Sequence, residues 1–328
     1  MNAASASLIH EMRPKILEKR ARLEAAAHAV SAEYLNQLLV EVDSALARID
    51  NGSYGICEFC HDTIEADCLA ENPLVRFCLD HLDAEQRRAH EQDLALATRI
   101  QTSLLPARDI SAGGWSTHYR YQPAGLVGGD YCEVIPAPDG RSLFFALGDV
   151  SGKGVAASLL MTHLSAIFRS LLSLNLPLSE VVVRANRLFC GGTPATHYAT
   201  LVAGLADESG IHLCNAGHCP PLLVGRDGTC RVDSTGLPLG LFGDSRYTIG
   251  HMLLERGESL VLYSDGITEA QDPEGNSYDE ERLIETLREG REREAAAMAE
   301  AALRDVVRFR CALPQHDDVT LLIVRRNA

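Results

Sequence analysis

The chain has 328 residues, is 46% hydrophobic and carries a net charge of −15. That length predicts about two domains with apolar material for a sizeable core. The acid excess argues against nucleic acid as the main partner, no apolar run reaches the roughly 18 residues of a membrane span, and the Ala/Ser-rich, then charged start does not read as a signal peptide.

Ten cysteines do not form a disulfide framework. Four lie between Cys57 and Cys78, and Cys132, Cys190, Cys214, Cys219, Cys230 and Cys311 are scattered through core-like segments. A reducing, cytoplasmic setting is the expectation.

Residues 1–50 read as helix, with Pro14 suited to a first turn. Leu35, Leu38, Val42, Ala45 and Ile49 form one apolar seam; Ile16, Leu23 and Val30 form an earlier one in another phase. The phase break near Ser31 fits two antiparallel helices or a stutter in one long helix. The seam would serve packing within the chain or a homodimer equally well.

Asn51-Gly52 ends the helix. Cys57-x2-Cys60 and Cys78-x2-His81 follow, separated by seventeen residues. Two knuckle pairs of soft ligands give zinc all four tetrahedral positions, so one structural Zn²⁺ is expected. His61 and Cys68 lie inside the loop but belong to no knuckle pair.

Arg48 to Cys60, Asn72-Pro73 and Phe77 to His81 resemble the DksA/TraR-type zinc finger, over roughly residues 35–85. That family enters RNA polymerase with an acidic hairpin tip. The tip here, Ala25 to Ser31, has no acid pair, and His81 stands where a fourth cysteine is more frequent.

Leu82 to Leu105 reads as a linking helix stopped by Pro106. The organisation expected is therefore helix over 1–50, finger over 51–85, linker over 86–106 and a large domain over 107–328. In the last, strands come in hairpin-like runs and helices in separate blocks, an α+β pattern with antiparallel sheets. Strands are expected at Ser116–Gln122, Tyr131–Pro136, Leu143–Leu147, Tyr198–Ala206, Ile211–Asn215, Leu222–Val224, Thr229–Val232, Ser259–Tyr263 and Val319–Val324. Helices are expected at Val155–Leu174, Leu178–Phe189 and Arg291–Phe309.

The stretch Gly148-Asp149-Val150-Ser151-Gly152-Lys153-Gly154 is not a Walker A loop, because its glycine spacing is too short and Gly154 follows the lysine where Ser or Thr is required. Instead, four acid clusters share one context. Gly128-Gly129-Asp130 starts a strand, Asp149 ends one, Asp265 ends one, and Asp317-Asp318 precedes one. A carboxylate at the end of a buried strand is costly unless paired or metal-bound. A turn or helix cap explains any one of them alone; four that converge would make an oxygen site for Mg²⁺ or Mn²⁺. Two such ions activate water for attack on a phosphoryl group.

These stretches, with Leu126-Val127 ahead of the first, Asn215-Ala216-Gly217-His218, Gly236-Leu237-Pro238-Leu239-Gly240 and Tyr263 to Ala270, closely resemble the SpoIIE/RsbU-type protein phosphatases of the protein phosphatase 2C-like superfamily. The match runs over about residues 100–326 in the same motif order. It implies a sandwich of two antiparallel sheets flanked by helices, two Mn²⁺ or Mg²⁺ ions, and hydrolysis of phosphoserine or phosphothreonine. By motif position Asp149 bridges both ions with help from the Val150 carbonyl, Asp265 and Asp317 hold the first ion, and Asp130 serves the second. Asp318 is the weaker member of its pair. Ser151 stands where many eukaryotic members place histidine, so the acid for the leaving oxygen is not identified. The usual partner of the family is a phosphorylated STAS-type anti-sigma-factor antagonist. The rival reading is a transcription-regulatory finger or scaffold protein with a catalytically silent second domain.

Overall fold

The computed structural model describes residues 3–25, 32–79, 84–226, 228–311 and 313–327. The chain forms two compact units, residues 1–94 and 95–328.

In the first unit, α1 (Ala3–Ala25) and α2 (Ala32–Asn51) are separate helices. Ion pairs Arg13–Asp50 and Arg20–Asp43 run in opposite senses along the two, so they are antiparallel. Met12 and Ile16 pack with Val42, Ala45 and Ile49, which places the α2 seam against α1 of the same chain. The hairpin tip at 26–31 lies outside the described residues. Pro14 is not in a first turn but inside α1. It sits on an exposed face, where its lost backbone hydrogen bond leaves only a carbonyl that water can satisfy. The buried Arg48 guanidinium donates to the carbonyls of Leu74 and Val75, and the Tyr54 hydroxyl to that of Pro73, tying the helix end to the cysteine loop. α3 (Ala66–Glu71) crosses that loop. α4 (Ala84–Leu104) contains the division between the units.

The second unit runs β1 (Asp109–Ala112), β2 (Trp115–Gln122), β3 (Asp130–Pro136), β4 (Leu143–Val150), α5 (Gly154–Leu172), α6 (Leu178–Gly192), β5 (Ala199–Asp207), β6 (Gly210–Ala216), β7 (Leu222–Val224), β8 (Thr229–Arg231), β9 (Gly250–Met252), β10 (Ser259–Tyr263), α7 (Asp265–Thr268), α8 (Glu280–Glu289), α9 (Ala295–Arg310) and β11 (Val319–Arg326). A six-stranded sheet has the order β1-β2-β11-β10-β7-β8, and a five-stranded sheet the order β3-β4-β5-β6-β9. Their ladders are antiparallel. This is the α+β sandwich that the strand pattern predicts.

Period-2 alternation builds three apolar layers. Phe145, Leu147, Val202, Leu260, Leu262, Leu322 and Val324 meet between the sheets. Phe144, Ala146, Leu201 and Ala203 face outward onto α5 and α6. Val261, Tyr263, Leu321 and Ile323 face outward onto α8 and α9. α5 corrects one expectation, because its 19 residues are long and apolar enough to span a membrane by composition. Its Met161, Leu164, Phe168 and Leu171 are buried against the five-stranded sheet, as a core helix requires.

Candidate active site

The alternation that buries Phe145 and Leu147 between the sheets carries Asp149 into the same layer, two residues on. β4 continues through Asp149 to Val150, beyond the expected end at Leu147. Asp130 sits directly opposite Asp149 in the β3–β4 ladder, and Thr200 opposite it on the other side. Directly opposed side chains share a sheet face. From the other sheet, Thr320 of β11 donates its hydroxyl to Asp130 Oδ2. The inner layer thus turns polar at one end of the sandwich.

Asp265 opens α7 just after β10, and the Ser264 amide donates to the Thr320 carbonyl at 3.0 Å. Gly266 must be glycine, because a Cβ there would collide with the Asp318 carbonyl. Asp317 reaches the Asp149 loop, where its Oδ2 accepts from Lys153 Nζ at 2.9 Å. All four predicted acids therefore gather at this end, and they act on one another. Burial pushes the Asp149 carboxyl up to about 7, and Asp265, Asp317 and Asp318 add to it. Burial and then Asp149 hold Asp130 well above the ordinary carboxylate range. Burial, Glu269 and Asp317 raise Asp265. Val150 presents its carbonyl on the same side of the Gly129 backbone as Asp149 Oδ1: a Cβ at Gly129 would lie 3.0 Å from the one and 3.2 Å from the other.

Three supporting residues carry roles that the sequence did not reveal. Asp318 is buried and accepts the amides of Ala124 (2.8 Å), Gly129 (2.6 Å) and Asp130 (3.3 Å). Gln101 brackets Gly128, donating to its carbonyl at 2.6 Å and accepting from its amide at 3.1 Å. Gly128 leaves no room for a side chain beside the Asp318 carboxylate and the Tyr121 hydroxyl. Thr320 is the third, holding Asp130 across the sheets. Each bond joins segments distant in sequence, so no local pattern announces it.

His218 is buried, and Asn215 bonds both its amide and its carbonyl. Its Nδ1 pairs with Thr200 Oγ1 at 2.8 Å, and burial holds it at about 4, hence neutral. It fixes the turn beneath the acids. Ser151 Oγ accepts the Tyr198 amide, which ties the Asp149 loop to the start of β5. His163 stacks on Phe189.

The donor set fits hard divalent ions: carboxylate oxygens, those of Asp130, Asp149 and Asp265 wholly or largely buried and raised in proton affinity, with Lys153 as the ion-paired counter-charge among the described residues. Among the described residues the one set of three His, Cys, Asp or Glu ligand atoms lying within 4.8 Å of one another is Cys57, Cys60 and Cys78, in the first unit. Among the described residues, no three of the acids bring their oxygens that close to one another. In the cysteine cluster, burial would push the Cys57 thiol up, but backbone N–H groups of Cys60, Cys78 and Phe59 bring it down to about 6. The Asp62 backbone N–H lowers Cys60, but burial and the Cys57 and Cys78 thiols outweigh it and push Cys60 up to about 11, so Cys57 is the thiolate of that pair, the form a soft metal takes. His81, the fourth predicted ligand, lies outside the described residues, and Cys68 stands apart from the cluster.

Comparison with known proteins gives one family and several relatives. The family described as stage II sporulation protein E (SpoIIE) matches residues 139–327. Protein IcfG of Synechocystis is 29% identical, over 72% of this chain and 42% of its own length, so this chain spans less than half of that relative. Phosphoserine phosphatase RsbU of Bacillus subtilis is 27% identical, over 72% of this chain and 71% of its own. Among solved structures, the RsbU and RsbW domains of Rv1364c from Mycobacterium tuberculosis align with a TM-score of 0.59 at 27% identity, covering 67% of this chain and 62% of that one.

Proposed function

The chain belongs to the SpoIIE family, and on that premise we propose that it is a metal-dependent protein phosphatase acting on phosphoserine or phosphothreonine in a cytoplasmic signalling protein. The observation that carries this reading is the gathering of Asp130, Asp149, Asp265 and Asp317 at one polar end of an otherwise apolar inter-sheet layer. Bound there, two Mn²⁺ or Mg²⁺ ions would supply an activated water and neutralise the phosphoryl charge. Asp149 would bridge them with the Val150 carbonyl beside it, Asp265 and Asp317 would hold the first, and Asp130 the second. Thr320 and Asp318 keep Asp130 in register, and His218 holds Thr200 opposite Asp149. Similarity to a phosphoserine phosphatase, RsbU, supports the substrate class. A phosphorylated anti-sigma-factor antagonist of the STAS type is the partner this reading favours. Phosphate release from a phosphoserine protein by the full chain, with and without added Mn²⁺, tests it. Release in Mn²⁺ that vanishes without divalent ions is expected; none at any Mn²⁺ concentration would end the proposal.

We further propose that Cys57, Cys60, Cys78 and His81 hold one structural zinc in a regulatory module. Cys57→Ser in the full chain is expected to lower bound zinc, measured by elemental analysis, and to unfold the first unit at lower temperature. Basal phosphatase turnover is expected to stay within about twofold, since the bonds described for the acids are made within residues 95–328. A turnover that falls with zinc content would contradict the modular reading.

A further inference from the structure

Among the described residues, one basic side chain makes an ion pair with any of the four acids. Lys153 Nζ lies 2.9 Å from Asp317 Oδ2, and it also donates to the His316 carbonyl at 3.0 Å. We propose that Lys153 is a displaceable counterion: it holds Asp317 in the metal-free protein, is driven off when the first divalent ion arrives, and then pairs with the phosphoryl oxygens of the substrate. This deepens the phosphatase reading and rests on it.

An ammonium and a divalent ion on one carboxylate compete, because like charges about 4 Å apart repel even in water. The lysine is the partner that gives way. Its side chain is 66% exposed and that of Asp317 is 46% exposed. So open an ion pair is weak, worth on the order of a two- to fivefold change in an equilibrium. Lys153 also has somewhere to go. An open cleft of ≈ 330 Å³ begins at Asp317 and is lined in part by Lys153, Gly266, Glu269, Arg310 and His316. A phosphoserine entering there brings its oxygens to the rim of the acid cluster. A compact ammonium on a four-carbon stem can follow them, as phosphate-binding lysines do. The lysine would thus lower affinity for the ion in the resting protein and raise affinity for the phosphorylated partner in the loaded one.

The experiment uses full-length protein freed of Mn²⁺ and Mg²⁺ by dialysis. Lys153→Met keeps the stem and removes the charge. Calorimetric titration is expected to show Mn²⁺ binding about two- to fivefold tighter than in the parent. Steady-state assay in saturating Mn²⁺ is expected to show a KM for a phosphoserine peptide raised by a comparable factor or more. Lys153→Arg keeps the ion pair and is expected to hold Mn²⁺ affinity within about twofold of the parent. Unchanged or weaker Mn²⁺ binding in Lys153→Met overturns the proposal, as does an unchanged KM, or an arginine variant that tightens Mn²⁺ as the methionine does. Asp317→Ala separates this from the broader reading. If it weakens Mn²⁺ while Lys153→Met changes nothing, only the counterion role falls; if it leaves Mn²⁺ binding intact, the assigned metal site falls with it.

Discussion

Asp149→Asn is expected to remove phosphoserine hydrolysis and, in the same molecule, to stabilise the metal-free fold. The first effect follows from position. Asp149 lies opposite Asp130 in one ladder, and its electrostatic partners include Asp265 and Asp317. An isosteric amide keeps the shape and removes the charge through which both ions would be held. A loss of about 10³-fold in kcat is the scale seen when one preorganised polar group is removed from an active site. The second effect follows from linkage. Burial and neighbouring acids raise the Asp149 carboxyl from 3.8 to about 7 in the folded protein. The native state therefore binds its proton more tightly than the unfolded chain does. The contribution of this group to stability is highest below pH 4, falls as pH rises from about 4 to about 7, and stays reduced above that. Asp130, raised for related reasons, adds to the same trend. In buffer free of divalent ions, the parent is expected to melt at a lower temperature at pH 8 than at pH 5. Asp149→Asn should narrow that gap and melt higher than the parent at pH 8. Added Mn²⁺ should raise the parent's melting temperature at pH 8 much more than the variant's. Retained turnover, or a variant that melts lower than the parent in metal-free buffer at pH 8, would contradict the assignment.

Much of this was legible in the chain itself. The run Leu143-Phe144-Phe145-Ala146-Leu147 announces a strand buried on both faces, and the acid two residues past Leu147 inherits the inner-facing parity. Four acids at strand ends, each against an apolar run, already imply a shared site, because isolated buried carboxylates are too costly to keep. What stayed hidden has one physical character: it depends on contacts that leave no local period. The Asp318–Gly129 bond spans 189 residues and the Thr320–Asp130 bond 190. A threonine at a strand position looks the same whether it faces solvent or an aspartate from the opposite sheet. Edge strands hid for another reason. β1 and β9 have three or four residues and half-exposed faces, too few for alternation to register. α8 is mostly polar, with only Leu283 and Leu287 buried, so its amphipathic stripe is thin. In the first unit the phase break near Ser31 left two arrangements open; the opposed ion pairs between α1 and α2 decide for antiparallel helices.

The adjacent acids Asp317 and Asp318 are expected to behave as opposites. Asp318 is buried, and its two oxygens accept three backbone amides from the turn that delivers Asp130. Such bonds to an ionised acceptor are stronger than neutral ones, and removing the acceptor leaves buried donors without partners. Asp318→Ala should therefore cost about 3–5 kcal/mol of stability, with the Gly128–Asp130 turn as the point of failure. Turnover should fall too, although Asp318 is not placed on the substrate, because Asp130 loses its register with Asp149. Asp318→Asn keeps one acceptor but turns an amide nitrogen toward one of the backbone donors, so an intermediate loss is expected. Asp317 is half exposed, and among the described residues its one ion pair is with the exposed Lys153. Asp317→Ala should change stability by no more than about 1 kcal/mol while weakening Mn²⁺ binding. Urea unfolding of the three variants beside Mn²⁺ titration checks the division. Were Asp317→Ala the more destabilising of the two alanine variants, the roles drawn from their hydrogen bonds would have to be exchanged. One dipeptide thus carries two roles: the Asp318 carboxylate builds the turn from the inside, and the Asp317 carboxylate, paired with Lys153, faces the rim.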